Sequence, residues 1–278
     1  MTPAIAARLD GLLADADALR PVMGILNVTP DSFSDGGRHA AAPVARGEAL
    51  VAEGAAILDI GGESTRPGFT PVAAEEEWRR IGAAVEALAA GLPVPLSVDT
   101  TKAEVARRAL AAGAAIVNDV WGFQGDPGMA GVVAEGGAGA VLMHNRQAVD
   151  PALDIAEDML AFFARSLALA EAAGVIRHRI VLDPGIGFGK AQHQQIDALR
   201  AIPRLRAAFG LPVLVGLSKK RFLGAITGAP VERRGLETVA ANLAAAAGGA
   251  TVFRVHDVAE HVAALKVFGT IHGFGDAP

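Results

Sequence analysis

Short apolar runs recur along the chain, each closed by a polar or glycine-rich turn and followed by an alanine-rich amphipathic stretch. That alternation is the pattern of repeated βα units. Eight runs read as strands: residues 22–28, 56–61, 96–100, 115–120, 140–144, 180–183, 213–217 and 251–255. The segments between them are long enough for helices, so the strands should be parallel. Thr100, Thr101 and Glu104 open residues 102–110 in the manner of a capping box, with Gly113 closing that helix, and Gly174 ends a long helical stretch from Ala152. The longest uncharged run, residues 238–253, contains Asn242 and the pair Gly248-Gly249. It falls short of the roughly 18 apolar residues of a membrane span and reads as a buried helix running into a strand.

Eight βα units in this length predict a (β/α)8 TIM barrel. No linker, charge block or low-complexity tail divides the sequence, so residues 21–278 form one catalytic domain, with a helical extension over residues 1–20. An open doubly wound sheet is the other candidate, but it carries fewer strands and a glycine fingerprint directly after the first, which is missing here.

Composition narrows the function classes. Half of the 278 residues are apolar, and Leu, Ile, Val and Phe are plentiful beside 33 Gly, so the chain can bury a substantial core. A net charge of −5 offers no basic footprint for nucleic acid. The absence of Cys removes disulfides, thiolate metal sites and a Cys nucleophile. Arg8, Asp10, Asp15 and Asp17 interrupt the first twenty residues, which therefore lack a signal-peptide core. A cytoplasmic enzyme that binds neither nucleic acid nor membrane is expected.

A TIM barrel builds its active site at the C-terminal ends of its strands, and here nearly every run ends polar or charged. The ends are Asn27; Glu63-Ser64-Thr65-Arg66; Asp99; Asn118 with Asp119; His144; Asp183; Ser218-Lys219-Lys220-Arg221; and Arg254 with His256. Any one of them alone can be a helix N-cap, but eight together on one face form a site. Arg66, Lys220, Arg254 and His256 offer cationic donors for an anion, while Asp99, Asn118 and Asp183 offer the acceptors and amide that a polar heterocycle needs. The mixture suits a charged leaving group beside a flat ring. Local readings stay open: Asp183 with Pro184-Gly185 can be an Asp-Pro turn, and Lys219-Lys220-Arg221 a solvated basic run. Arg254 and His256 alternate on the last strand and share a side, either as a buried ion pair or, with Arg66, as a phosphate clamp. His39, His178, His193, His261, His272 and Trp78 have no motif context and read as surface or packing residues.

The segments LNVTPDSFSDGG (26–37), GGESTRPG (61–68), SVDT (97–100), NDVWG (118–122), LDPGIGFGK (182–190), GLSKKRFLG (216–224) and FRVHDV (253–258) together resemble the dihydropteroate synthase family. They lie in order from the first strand to the last, and the first and fifth are long and specific. The resemblance implies condensation of 6-hydroxymethyl-7,8-dihydropterin diphosphate with p-aminobenzoate, with Mg²⁺ as cofactor held by Asn27. By the same resemblance Asp183, Asn118, Asp99 and Lys220 would address the pterin, and Arg66, Arg254 and His256 the diphosphate. Phe33, Thr65, Pro67, Phe188 and Ser218 would complete the substrate pocket. Asp99, Asp183, Lys220, Arg254 and His256 would carry catalysis, through an SN1-like departure of diphosphate without a covalent enzyme intermediate. A homodimer and sensitivity to sulfonamides are expected with them.

Three positions depart from the family pattern: Lys219 stands for a common Arg, Arg221 for a small Ser, and Asn145 for a frequent Met. Three other readings compete. A methyl-transferring pterin barrel would not need the PDSFSDGG segment or the Arg254/His256 pair. A catalytically silent barrel would show a broken site, and a Schiff-base aldolase using Lys220 would leave the pterin motifs unexplained.

Overall fold

The computed structural model describes residues 1–28, 41–63 and 72–273. Among them are eight parallel strands: β1 Val22–Asn27, β2 Ile57–Gly61, β3 Leu96–Asp99, β4 Ile116–Asp119, β5 Gly139–Met143, β6 Ile180–Asp183, β7 Leu214–Val215 and β8 Val252–Val255. Each pairs with its neighbours in sequence, and β1 pairs with both β2 and β8. A parallel bridge between Leu182 and Val213 joins β6 to the β7 segment and closes the TIM barrel. Helices fill the crossovers, as parallel pairing requires. No helix among the described residues is long and apolar enough to cross a membrane.

Strand periodicity explains how one sequence builds both a plug and a site. Met23, Ile57, Ile116, Val141, Val181, Leu214 and Val252 point into the barrel at its N-terminal end and form one apolar cluster. Helix Pro3–Ala14 covers that end, adding Leu9 and Leu13 to the cluster. Its docking is fixed by Arg179, which donates to both carboxylate oxygens of Asp10 at 2.6 and 2.7 Å. Side chains repeat sides every second residue. Two or four positions onward from the plug therefore come Asn27, Asp59, Asn118, Asp183 and Arg254, on the same inner side near the strands' C-terminal ends. Outward residues such as Leu58, Ile60, Val98, Val117, Leu142 and Leu182 pack under the helices in the larger core.

Three local expectations change. The helix after β3 runs Ala103–Ala111, and no capping box forms at its start. Thr100 Oγ1 instead accepts from the Lys102 N–H, and Asp126 of the next crossover caps the helix by accepting from the Ala103 N–H at 2.9 Å. A tertiary acceptor has replaced the local one. The long helix ending at Gly174 begins at Ile155, where Asp154 accepts from Ala156 and Glu157, so the residues from Ala152 precede it. Strand β7 is two residues long, because the chain turns at Ser218 to Lys220 and Lys219 adopts a left-handed φ of 56°.

Candidate functional site

Asp59 sits in the middle of the apolar run of β2, and the sequence reading gave it no role. It is fully buried, and a charge inside a barrel strand must be paired. Arg254 supplies the pair: its Nε donates to Asp59 Oδ2 at 2.6 Å, and its terminal nitrogen donates to Asp99 Oδ2 at 2.7 Å. Asn118 joins them, its amide donating to Asp59 Oδ2 at 3.1 Å. β2, β3, β4 and β8 are thus tied across the barrel mouth by one guanidinium, two carboxylates and an amide.

One guanidinium can neutralise only one of two buried carboxylates. Burial pushes the Asp99 carboxyl up to about 7, opposed by Arg254 and reinforced by neighbouring Asp59. Burial alone would lower the Arg254 pKa, but the flanking carboxylates raise it beyond its ordinary value, so it remains a cation. Asp59 Oδ1 and Asp99 Oδ1 are buried without a hydrogen-bond partner among the described residues. The cluster therefore holds polar capacity that its own members do not use.

Across the mouth, Asp183 ends β6. Its Oδ1 accepts from the Gly185 N–H at 2.7 Å, so one carboxylate oxygen serves the Asp-Pro turn. Burial raises its pKa, opposed by that N–H and then by the charges of Lys220 and Arg254. The Lys220 ammonium lies 4.5 Å from the centre of the Phe188 ring, a cation–π contact at the edge of the same mouth. Lys219 turns elsewhere and donates to Asp257 at 3.1 Å. The left-handed backbone at Lys219, rather than strand alternation, is what separates the two ammonium groups. Ser218 Oγ and His256 Nδ1 are hydrogen-bonded at 2.8 Å. Asn27 ends β1, half-buried, its side-chain amide without a hydrogen bond among the described residues.

Asp99, Asn118, Asp183, Phe188, Lys220, Arg254, Ser218, His256 and Asn27 therefore gather at the C-terminal end of the barrel. Phe33, Thr65, Arg66 and Pro67 lie outside the described residues, as does His39. Other strand-end residues face away. Asp119 accepts from the Trp121 and Phe123 N–H groups and organises the turn after β4; burial raises its carboxyl to about 6. His144 is buried between Asp158 and the rings of Phe162 and Phe163, and burial holds it neutral, with a pKa of about 3. Glu63 accepts from Lys102 at 2.7 Å and from the Val72 N–H, and Lys102 also donates to buried Glu77. Asn145 accepts from the Arg146 N–H, Arg221 is exposed, and His261 is buried against the Asp257 carbonyl.

Comparison with known proteins places this arrangement. The model of the family described as "Pterin binding enzyme" matches residues 23–256. The dihydropteroate synthase of Bacillus subtilis is 45% identical over 239 residues, covering 85% of this chain and 83% of that protein. Among solved structures, Xanthomonas albilineans dihydropteroate synthase with 4-aminobenzoic acid superposes with a TM-score of 0.86 at 47% identity, over 93% of this chain and 94% of that one. The same enzyme in complex with 7,8-dihydropteroate gives a TM-score of 0.82 at 45% identity over the same shares.

Proposed function

The chain belongs to the dihydropteroate synthases of the pterin-binding enzyme family, and from that membership we infer that it joins 6-hydroxymethyl-7,8-dihydropterin diphosphate to p-aminobenzoate, forming 7,8-dihydropteroate and releasing diphosphate. The observation that carries the reading is the barrel-mouth constellation of Asp59, Asp99, Asn118, Asp183, Lys220 and Arg254, which pairs ring acceptors with cations on one face. The PDSFSDGG segment, which methyl transfer would not need, favours this reaction over methyl transfer.

In this reading the free oxygen of Asp183 accepts from the pterin 2-amino group and N3–H, two donors on one edge. Asn118 and Asp99 address the other heteroatoms, and Lys220 closes the ring's carbonyl edge over Phe188. The bond from the pterin methylene to diphosphate oxygen breaks with its electron pair, and charge accumulates on the leaving phosphate. Arg66 and His256 stabilise that charge, while Arg254, already committed to Asp59 and Asp99, sets the field beneath it. The methylene cation is delocalised over the pterin and sits beside the Asp183 and Asp99 carboxyl groups. The aromatic amine then attacks carbon and sheds a proton.

Asn27 fits a hard divalent cation: it is a strand-end amide oxygen left for a ligand, suited to Mg²⁺ that keeps its waters and diphosphate oxygens. Bound there, Mg²⁺ would neutralise charge on the departing diphosphate. Incubation with the pterin diphosphate, labelled p-aminobenzoate and Mg²⁺ tests the assignment. Labelled dihydropteroate should form, chelation should stop it, and saturating p-aminobenzoate should relieve sulfonamide inhibition. No product under those conditions refutes the activity.

Lys220 and Lys219 provide an internal control. Lys220→Ala should lower turnover about tenfold or more, the loss of one charge-assisted contact. Lys219→Ala should cost much less, because its ammonium is paired with Asp257 in a partly exposed salt bridge. Steady-state kinetics at matched melting temperatures decide it, and the reverse order would exchange the two roles.

A cytoplasmic homodimer completes the reading. Ile226, Val231, Leu236, Val267 and Ile271 expose apolar side chains on neighbouring segments near the C-terminal part of the chain, Leu236 at 80% and Ile271 at 75%. A second copy would cover them. Sedimentation should give twice the monomer mass of 28.3 kDa, and Leu236→Glu should give the monomer; a monomeric wild type rejects this assembly.

A further inference from the structure

Lys190 closes the LDPGIGFGK segment, yet nothing in the reaction described above uses it. Its ammonium is buried, a position that lysine almost never takes without a carboxylate. No salt bridge reaches it among the described residues. Instead its three N–H groups meet three backbone carbonyls: Gly185 at 2.9 Å, Phe188 at 3.1 Å and His144 at 3.2 Å. An ammonium has three donors, so the shell is complete.

Two of these carbonyls belong to residues that touch the pocket. Gly185 is the residue whose N–H holds Asp183 Oδ1, and Phe188 is the residue whose ring carries the Lys220 ammonium. The third anchors the turn to the end of β5. The turn packs Ile186 into the core and closes with a hydrogen bond from the Phe188 N–H to the Gly185 carbonyl, and the three Lys190 contacts add to these. Gly185, Gly187 and Gly189 all have positive φ, and a Cβ at Gly185 would collide with the His144 carbonyl. Three glycines confer freedom, which a central cation removes. Burial brings the Lys190 ammonium down to about 7, with Asp183 and Asp158 opposing the shift and Lys220 and Arg146 adding to it.

We propose that Lys190 is a positioning residue that fixes Asp183 and the Phe188–Lys220 pair relative to one another, so that the carboxylate and the ammonium meet the adjacent donor and carbonyl edges of one bound pterin. The proposal rests on the reading of Asp183 as the pterin acceptor, and its test separates the two. The variants are Lys190→Met, which keeps the length of the side chain and removes its donors, Asp183→Asn, and the double variant. Pterin binding is read by calorimetry on each folded protein, and KM for both substrates by steady-state kinetics.

Lys190→Met should weaken pterin binding about tenfold and raise KM for the pterin diphosphate, leaving KM for p-aminobenzoate within about twofold. Because Lys190 acts partly through Asp183 and partly through the Phe188–Lys220 pair, the double variant should bind pterin worse than Asp183→Asn alone by clearly less than the roughly tenfold loss of Lys190→Met. Unchanged pterin binding in Lys190→Met, or losses that multiply in the double variant, overturns the proposal. If Asp183→Asn itself binds pterin like the wild type, the pterin reading of Asp183 falls and this proposal falls with it. Should Lys190→Met fail to fold, Lys190→Gln, which keeps an amide donor but no charge, replaces it under the same criteria.

Discussion

Replacing Arg254 by Met should destabilise the protein by about 3–5 kcal/mol, the cost of leaving a buried charge without its partner. Two buried carboxylates, Asp59 and Asp99, would lose their shared cation, leaving only the Asn118 amide as a donor to Asp59. The loss should also depend on pH. Asp99 already lies near 7 with Arg254 opposing the shift, so removing the cation raises it further. The folded variant then holds protons that the unfolded chain, with ordinary carboxylates, has released, and its stability must fall as pH rises from 5 to 8. Urea denaturation of wild type and variant at pH 5 and pH 8 checks both statements. Equal destabilisation at the two pH values would mean that Asp99 does not depend on Arg254 for its charge. Asp59→Asn in the Arg254→Met background should recover part of the loss, because it removes one of the stranded charges.

Asp183→Asn should weaken pterin binding by about 2 kcal/mol or more, close to 30-fold. The structure explains why so small a change matters. One oxygen of the carboxylate is held by the Gly185 N–H, and in the variant the amide oxygen would keep that bond. The amide nitrogen would then face the pocket, a donor aimed at the pterin's own donors, and an unmet buried donor costs more than a lost bond. Calorimetric titration of pterin into both proteins measures it. A dissociation constant unchanged from the wild type would show that Asp183 serves its turn alone.

Much of this site was legible before any coordinates, and the reason is the strand period. Ile116 and Asn118, Val181 and Asp183, Val252 and Arg254 are each two residues apart, so an apolar residue in the barrel's plug implies a polar residue at its mouth. The motif segments added chemistry to that geometry. What escaped was Asp59, a charge within an apolar run whose signal was its very presence there. Lys190 was equally visible as the last residue of a motif, but a lysine after GFG looks solvent-facing until the turn folds over it. The Thr100, Thr101 and Glu104 capping pattern misled because Asp126, remote in sequence, takes the cap.

Local rules thus determined the barrel and the face on which the site lies, since alternation, turn glycines and strand-end polarity are properties of neighbouring residues. Partner choice was different. Whether Arg254 binds phosphate or carboxylates, and which of Lys219 and Lys220 enters the pocket, depends on groups far apart in the chain. Arg254 meets Asp59 and Asp99 only because β8, β1, β2 and β3 lie side by side in a closed barrel. The two lysines separate because Lys219 takes a left-handed turn, which the contacts of its N–H with Thr238 and of its ammonium with Asp257 support. Charges in a buried mouth settle on whichever opposite charge the fold brings within reach, and only the assembled barrel sets that distance.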